Sequence, residues 1–180
     1  DIVYVHCVGS ASGGPYSDLQ AYDDVIQAAS GAANLLSRVD GDPQPRYIPS
    51  TIADKVAGLH AAYAMVAAMF HRLRTGEGQQ VEVPMFEAFT HFLLEEHLYG
   101  GTFDPPTGPI GYQRQLDPAR QPFPTANGYI SIVPYTDASW IALLGLLGRS
   151  DVLAQERFST PRERAVNITD LYRIVADQTP

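Results

Sequence analysis

The sequence predicts an α/β fold, in which helices alternate with short strands. Apolar residues recur at steps of three and four along an alanine-rich segment that begins near Ile52, and this period is that of an α-helix. Residues 2–8 form an apolar run, and residues 79–83 alternate and contain β-branched valines, so both segments are predicted to be strands. A long helix between two such strands indicates an α/β domain.

The long helix has signals at both of its ends. Ser50 or Thr51 is suited to cap the N-terminus, because a hydroxyl oxygen can accept from a free backbone N–H of the first turn. Thr75 and Gly76 mark the C-terminal end, since glycine readily adopts the left-handed conformation that closes a helix. We therefore predict a helix that begins near Ile52 and ends at about residue 75.

Two further helices are predicted in the first half of the chain. One begins at Pro84, directly after the second strand, and continues to about residue 99, because proline is favoured in a first helical turn. The other spans residues 25–30, and Asp23 and Asp24 are expected to cap it.

The second half of the chain is predicted to form a smaller α+β unit. Residues 129–133 are predicted to be a strand, residues 138–147 a helix with Asp137 as its N-cap, and residues 162–176 a further helix. The segment 100–124 is rich in glycine and proline and lacks periodicity. The predicted organisation is an α/β region at residues 1–99, a linker at 100–124 and the smaller unit at 125–180.

Asp54 lies in the first turn of the long helix. Free N–H groups and the positive end of the helix dipole favour an anion there by about 0.3–1 kcal/mol, so we expect its carboxylate to be ionised. Because helical side chains tilt toward the N-terminus, Ala57 and Gly58 share its face, and neither would obstruct a ligand. Acidic residues are common in first helical turns for the dipole alone, so this pattern also fits a purely structural role.

Charge and composition argue against several classes of partner. The chain has 20 acidic and 12 basic side chains and a net charge of -8, so nucleic acid is not an expected partner. No apolar run is long enough to cross a bilayer and no basic-then-apolar segment opens the chain, so we expect no membrane partner and a cytoplasmic setting.

The five histidines lack the spacing of metal ligands, and no metal site is predicted. Cys7 stands alone on an apolar strand and is predicted to be a core residue.

Several segments occur in an informative order along the chain. They are DIVYVHCVGSASGGPYSD, YDDVIQAASG, GDPQP, IADKVAGLHAAYAMVAAMFHRLRTGEGQQVEVPMFEA and PFPTANGYISIVPYTDASW. This order resembles that of the family III coenzyme A transferases, which include formyl-CoA, succinyl-CoA and carnitine CoA transferases and, as a divergent branch, the α-methylacyl-CoA racemases. The resemblance covers nearly the whole chain.

The resemblance implies that Asp54 is the catalytic residue. In the family, the catalytic aspartate opens the helix that leads into a T-G-x-G-Q segment, and Asp54 stands in that position ahead of TGEGQ at residues 75–79. The implied reaction is attack of the carboxylate on an acyl-CoA thioester, which gives an aspartyl anhydride and then an aspartyl-CoA thioester. A carboxylic acid collects the coenzyme A from that thioester. The implied chemistry needs no metal or redox cofactor, and the coenzyme A thioester is a substrate.

Other residues are placed near the substrate by the same resemblance. The glycine-rich turn that follows the first strand runs close to the pantetheine or acyl part of the ligand in the family. Gln27, in the family's Q-A-x-S-G element, is expected to fix the loop that ends at Gly31. Asp137 falls where the racemase branch has a glutamate near the site. The candidate substrate-binding residues are Gly9, Tyr22, Ala57, Gly58 and Asp137.

Tyr22 bears on the choice of reaction within the family. It occupies the position where the racemase branch carries a histidine, which works with the aspartate to move the α-proton. A phenol is protonated at neutral pH and is a poor base, so coenzyme A transfer is favoured over racemisation. An acyl-CoA racemase or isomerase is the alternative activity, and a packed aromatic at a helix start is the structural alternative for Tyr22.

The resemblance also implies how the chain is organised in a larger protein. Family members are considerably longer, and the implied fold is part of a Rossmann-like large domain followed by part of a smaller α+β domain. Two chains of the family interlock, so a homodimer is expected, with an acyl-CoA and a carboxylic acid as its partners. The N-terminal coenzyme A-binding half and the closing C-terminal part are expected to be missing here. A fragment that only dimerises through its small-residue helix is therefore a further alternative.

Overall fold

The computed structural model describes residues 1–179, and the chain forms two compact units, Asp1–Tyr112 and Gln113–Pro180. The first unit contains strands and α-helices in alternation. In chain order these are β1 (Val3–Val8), α1 (Asp23–Ala29), α2 (Leu35–Asp40), α3 (Ile52–Thr75), β2 (Gln79–Pro84) and α4 (Met85–His97), with 3-10 turns at Ala32–Asn34 and Tyr99–Thr102.

The strands of the first unit pair in parallel. Val3 lies opposite Gln79 at one end of the ladder, and Val8 lies opposite Pro84 at the other. Parallel neighbours need a long crossover connection, and here that connection contains α1, α2 and α3. This arrangement confirms the predicted α/β class.

Glycine sets the end of α3 and the start of β2. Gly76 has φ of 79° and donates its N–H to the carbonyl of Arg72, which closes the helix at the predicted position. A Cβ at Gly78 would lie only 1.9 Å from the carbonyl oxygen of Ile2, so a side chain there would collide with the backbone at the start of β1. The geometry of the chain therefore requires both glycines of the TGEGQ segment.

The apolar stripe of α3 is buried in its first turns but largely exposed beyond them. Ala53 and Val56 pack into a core with Ile26, Ala32 and Phe89. Farther along, Ala68 is buried, whereas the larger apolar residues of the stripe are exposed: Leu59, Tyr63, Val66, Phe70 and Leu73. The periodic pattern correctly predicted the helix, but it did not predict that this chain leaves much of the stripe uncovered.

Two further features of the described chain concern exposure and membrane association. Cys7 is exposed, so its prediction as a core residue is wrong; among residues 1–179, no element covers this position on β1. Among residues 1–179, no helix combines the length and the apolar character that a membrane-spanning segment needs.

The second unit combines a short hairpin with helices. Its elements are β3 (Phe123–Thr125), β4 (Gly128–Ile130), α5 (Asp137–Leu146), α6 (Pro161–Val166) and α7 (Ile168–Ala176), with 3-10 turns at Ser150–Ala154 and Glu156–Phe158. The strands are antiparallel, with Phe123 opposite Ile130. The core of this unit is apolar and largely aromatic: Phe123, Trp140, Leu144, Val152, Phe158, Leu171, Tyr172 and Val175.

The structure corrects two predicted boundaries in the second unit. The strand predicted at residues 129–133 ends at Ile130, because its partner β3 offers only three residues for pairing. The helix predicted at 162–176 is interrupted at Asn167, where φ is -104° and ψ is 28°. The side-chain amide of Asn167 donates to the carbonyls of Arg157 and Glu163, and these hydrogen bonds hold the break between α6 and α7.

Candidate functional site

Asp54 lies in the first turn of α3, as predicted, and its side chain is exposed. Within residues 1–179, its carboxylate makes no hydrogen bond or ion pair. Thr51 holds the N-cap position, but its side chain makes no capping hydrogen bond. Asp54 is therefore an acidic group with free oxygens that an incoming molecule can reach.

The cap of α3 comes from a different helix. Oδ1 of Asp23 accepts from the backbone N–H of Ala53 at 2.7 Å and from that of Asp54 at 3.1 Å. The sequence predicted that Asp23 and Asp24 cap α1, but both residues belong to its first turn, and Tyr22 occupies the N-cap position. The prediction is wrong because the buried carboxylate of Asp23 instead satisfies free N–H groups of α3.

Gln27 also makes different contacts from those predicted. Its side chain is fully buried, its Oε1 accepts from the N–H of Ile48 at 2.8 Å, and its Nε2 donates to Oδ2 of Asp23 at 2.6 Å. Gln27 therefore holds the segment that enters α3 rather than the loop that ends at Gly31. Gly31 itself has φ of 87°, so its own left-handed conformation sets the turn after α1.

Gly9 lies where the chain leaves β1 and packs against the segment before α1. A Cβ at Gly9 would lie 2.3 Å from the Cβ of Ala21, which is far closer than two carbon atoms can approach. The carbonyl of Gly9 accepts from the N–H of Phe86 in the first turn of α4 at 2.9 Å. Gly9 therefore brings the end of β1, the start of α1 and the start of α4 together.

Tyr22 lies between Ala21, which Gly9 approaches, and Asp23, which caps α3. Its backbone is extended, with φ of -121° and ψ of 160°, and the residue is 65% exposed. The alternative of a packed aromatic at a helix start is therefore wrong. The structure brings the backbones of Gly9, Tyr22 and Asp54 to one region, at the starts of α1 and α3.

Ala57 and Gly58 differ in how accessible they are. Ala57 is buried, so its methyl group belongs to the packing of α3. Gly58 is exposed, and a Cβ built there would meet no other atom within 4 Å. Of the two predicted residues that share the face of Asp54, Gly58 is the one that leaves open space beside it.

Asp137 belongs to the second unit and makes an ion pair there. Its carboxylate accepts from the guanidinium of Arg164, which is buried and also donates to the carbonyl of Phe158 at 2.7 Å. The predicted N-cap role is wrong, because Thr136 occupies that position and accepts from the N–H of Ser139 at 3.1 Å. Asp137 instead lies in the first turn of α5.

Sequence reasoning missed two glutamates that hold the glycine-rich loop after β1. Glu82 on β2 accepts from the backbone N–H of Ser12 at 2.8 Å and also from the Ser12 hydroxyl. Glu87 on α4 accepts from the N–H of Ala11 at 3.1 Å. The hydrogen bonds from Ser12 lower the pKa of Glu82 below its usual value, and the Coulombic interaction with His6 acts in the same direction. Nothing in the local sequence distinguishes these glutamates from the other acidic residues of the chain.

Comparison with curated proteins places this chain among coenzyme A transferases. It is 24% identical over 178 residues to a succinate–glutarate CoA-transferase of Agrobacterium fabrum. The aligned region covers 99% of this chain and 44% of that protein. It is 30% identical over 181 residues to a probable fatty acyl-CoA transferase of Mycobacterium tuberculosis, and this alignment covers 95% of this chain and 45% of that protein. A formyl-CoA:oxalate CoA-transferase of Streptomyces avermitilis is 28% identical over 193 residues, which covers 98% of this chain and 46% of that protein. The chain therefore spans about half the length of the curated relatives it matches.

Solved structures show the same relationship. A hypothetical protein from Mycobacterium tuberculosis matches with a TM-score of 0.76 and 26% identity, covering 97% of this chain and 46% of that one. A CAIB/BAIF family protein from Brucella suis matches with a TM-score of 0.70 and 26% identity, covering 98% and 46%. The family model of CoA-transferase family III matches residues 1–179. The chain belongs to CoA-transferase family III.

Proposed function

We propose that the protein that carries this chain transfers coenzyme A from an acyl-CoA to a carboxylic acid, with Asp54 as the nucleophile. The observation that carries the proposal is the state of Asp54: it is exposed, its carboxylate has no partner within residues 1–179, and its backbone is fixed at the start of α3. Membership of the family supplies the reaction class.

The proposed reaction divides a difficult exchange into steps with lower barriers. A carboxylate oxygen of Asp54 attacks the thioester carbonyl, the carbon–sulfur bond breaks, and an aspartyl anhydride and the coenzyme A thiolate result. The thiolate then attacks the aspartyl carbonyl of the anhydride and releases the first carboxylic acid as its carboxylate. Asp54 now holds the coenzyme A as a thioester.

The second half of the reaction reverses these steps with a different acid. The incoming carboxylate attacks the aspartyl thioester, which gives a new anhydride and frees the thiolate. The thiolate attacks the acyl carbonyl of that anhydride, which yields the new acyl-CoA and restores the carboxylate of Asp54. Every bond is formed and broken between the aspartate, the acids and coenzyme A, so the proposed route requires no metal or redox cofactor.

The proposed substrates are an acyl-CoA donor and a carboxylic acid acceptor. The names of the relatives pair substrates of this type, for example formyl-CoA with oxalate and succinate with glutarate. The open space beside Gly58, one turn along α3 from Asp54, supports the approach of a thioester from that side.

Tyr22 argues for transfer rather than racemisation. A racemase would need a base near the aspartate at neutral pH, and the exposed phenol of Tyr22 is a poor one. Tyr22 is better suited to contact the substrate, because an aromatic ring offers apolar surface together with one hydroxyl for hydrogen bonding.

We also propose that the protein is a homodimer. The exposed apolar residues of α3 beyond its first turns, from Leu59 to Leu73, support an interface there, because exposed apolar surface of this kind marks interaction sites. Light scattering during size exclusion would measure the mass. A monomer at micromolar concentration would contradict this part of the proposal.

The nucleophile can be tested by trapping. The native-length protein is incubated with acyl-CoA and then with hydroxylamine, which converts an aspartyl anhydride or thioester into a stable hydroxamate that peptide mass mapping can locate. We expect the hydroxamate on Asp54, with Asp23 and Asp24 unlabelled as internal controls. If acyl-CoA binds but no hydroxamate forms, the result favours a role of Asp54 in proton transfer over a role as nucleophile. If neither binding nor labelling occurs, a non-catalytic interaction module is favoured.

A further inference from the structure

Asp23 belongs to α1, but its carboxylate caps the N-terminus of a different helix, α3. It is 7% exposed, and its Oδ1 accepts from two consecutive backbone N–H groups, those of Ala53 and Asp54. These groups belong to the first turn of α3, where no intrahelical acceptor is available. A side chain from α1, 31 positions before Asp54, thus provides the cap that Thr51 does not.

Gln27 supports Asp23 one helical turn later. Its Nε2 donates to Oδ2 of Asp23 at 2.6 Å, and it also lies 3.2 Å from the carbonyl of Ser50. Its Oε1 accepts from the N–H of Ile48. Asp23 and Gln27 together therefore hold both the segment that enters α3 and the first turn of that helix.

The partners of Asp23 indicate its charge. Each recorded partner of its carboxylate is a donor: the amides of Ala53 and Asp54 on one oxygen and the side chain of Gln27 on the other. A carboxylate side chain offers acceptor oxygens only, so these three donors match what Asp23 can accept. Its charge lies at the positive end of the α3 dipole, where an anion is favoured.

This arrangement affects what Asp54 is free to do. In a capping box, the side chain of a glutamate or glutamine at the third position of a helix reaches back to the backbone N–H of the N-cap residue, which is Thr51 in α3. Here Asp23 satisfies the amides of Ala53 and Asp54, and the carboxylate of Asp54 makes no hydrogen bond within residues 1–179. A carboxylate that is not engaged in capping keeps its oxygen lone pairs available for attack.

We propose that Asp23, supported by Gln27, is a positioning residue for the nucleophile Asp54. It fixes the backbone from which Asp54 projects, because it accepts from the N–H groups of Ala53 and Asp54. This inference rests on the proposed function. Because Asp23 is buried behind the helix start and acts through backbone amides, it contributes to the rate of attack and not to the binding of acyl-CoA.

The test compares Asp23→Asn with a neighbouring control. In Asp23→Asn one oxygen becomes an NH2 group, so a donor must face either the amides of α3 or Nε2 of Gln27. We expect kcat to fall by about 10- to 100-fold, as misplacement of a reacting group does, while KM for acyl-CoA changes less than about threefold. Asp24→Asn, an exposed neighbour in the same turn, should keep both constants near their original values.

A second variant covers the case in which Asp23→Asn does not fold. Gln27→Met keeps a long buried side chain but removes the donor to Asp23, and it should lower kcat in the same selective way. The rate of hydroxamate formation on Asp54 in a single turnover should fall in parallel with kcat. A loss that appears equally in acyl-CoA binding and in rate would overturn the positioning role, and so would unchanged kcat in folded variants.

Hydroxylamine trapping distinguishes failure of the positioning role of Asp23 from failure of Asp54 as the nucleophile. If unmodified protein forms no hydroxamate on Asp54, both proposals fail together. If it does, and Asp23→Asn forms the hydroxamate as fast as Asp24→Asn, only the positioning role fails. Labelling of Asp54 that is slow in Asp23→Asn and rapid in Asp24→Asn supports both.

Discussion

Ser12 is bound to Glu82 through both its backbone N–H and its hydroxyl, although 70 positions separate the two residues in the sequence. The contact fastens the glycine-rich loop after β1 to the neighbouring strand β2. Glu87 adds a second attachment through the N–H of Ala11. The loop next to the proposed active site is thus held by two carboxylates that only the folded chain brings to it.

The first prediction is that Ser12→Ala lowers stability in a pH-dependent way. The hydrogen bonds from Ser12 lower the pKa of Glu82 from its ordinary value of 4.5. A lowered carboxyl pKa in the folded state adds stability that is present above the unfolded value and is lost as the pH falls through the folded value. The difference between Ser12→Ala and the original protein should therefore be largest near neutral pH and shrink below pH 4.5.

Chemical denaturation at a series of pH values would measure this difference. Ser17→Ala serves as a matched control, because Ser17 is an exposed residue of the same loop. A Ser12→Ala difference that stays constant from neutral pH to pH 3 would mean that the Glu82 contact does not carry the effect.

The second prediction concerns the close approach of Gly9 and Ala21. Gly9→Ala would place two Cβ atoms 2.3 Å apart and should destabilise the fold by about 1–3 kcal/mol, since the loop must shift to relieve the overlap. Ala21→Gly removes the opposing methyl group, so the double variant should recover much of the loss. The free energies of unfolding of the four proteins form a double-mutant cycle that measures the coupling. Additive effects would show that the two positions do not collide.

The features that could be predicted from sequence are those that local chemistry decides. The end of α3 follows from the left-handed conformation of Gly76, and the place of Asp54 in the first turn follows from helical periodicity. These properties depend on residues within a turn or two of each other, so the order of residues contains the necessary information.

The features that could not be predicted depend on which distant segments meet. The sequence assigned Asp23 to the nearest helix, because an acidic residue in a first turn ordinarily serves its own helix. The structure uses it to cap α3, and only the packing of α1 on α3 makes that possible. Burial was mispredicted for the same reason at Cys7, and the helical period of α3 does not say what covers the apolar residues from Leu59 to Leu73, which are exposed.

The third prediction is that Asp54→Asn abolishes coenzyme A transfer and leaves the fold intact. An amide lacks the nucleophilic oxygen of a carboxylate, so kcat should fall by about 10⁴-fold or more. The side chain is exposed and has no partner among residues 1–179, so the free energy of unfolding should change by less than about 1 kcal/mol. Asp24→Asn is the matched control. Full turnover by Asp54→Asn would remove Asp54 as the nucleophile.

The fourth prediction separates substrate binding from stability at Gly58. A side chain there meets open space, and leucine is favoured over glycine within a helix, so Gly58→Leu should raise unfolding free energy by about 0.5–1 kcal/mol. The same side chain would fill the space beside Asp54 and should raise KM for acyl-CoA strongly. Ala142→Leu adds the same side chain at an exposed position of α5, outside the proposed interface, and should leave KM unchanged. Loss of stability together with loss of binding in Gly58→Leu would instead mean that the open face of α3 serves packing and not the substrate.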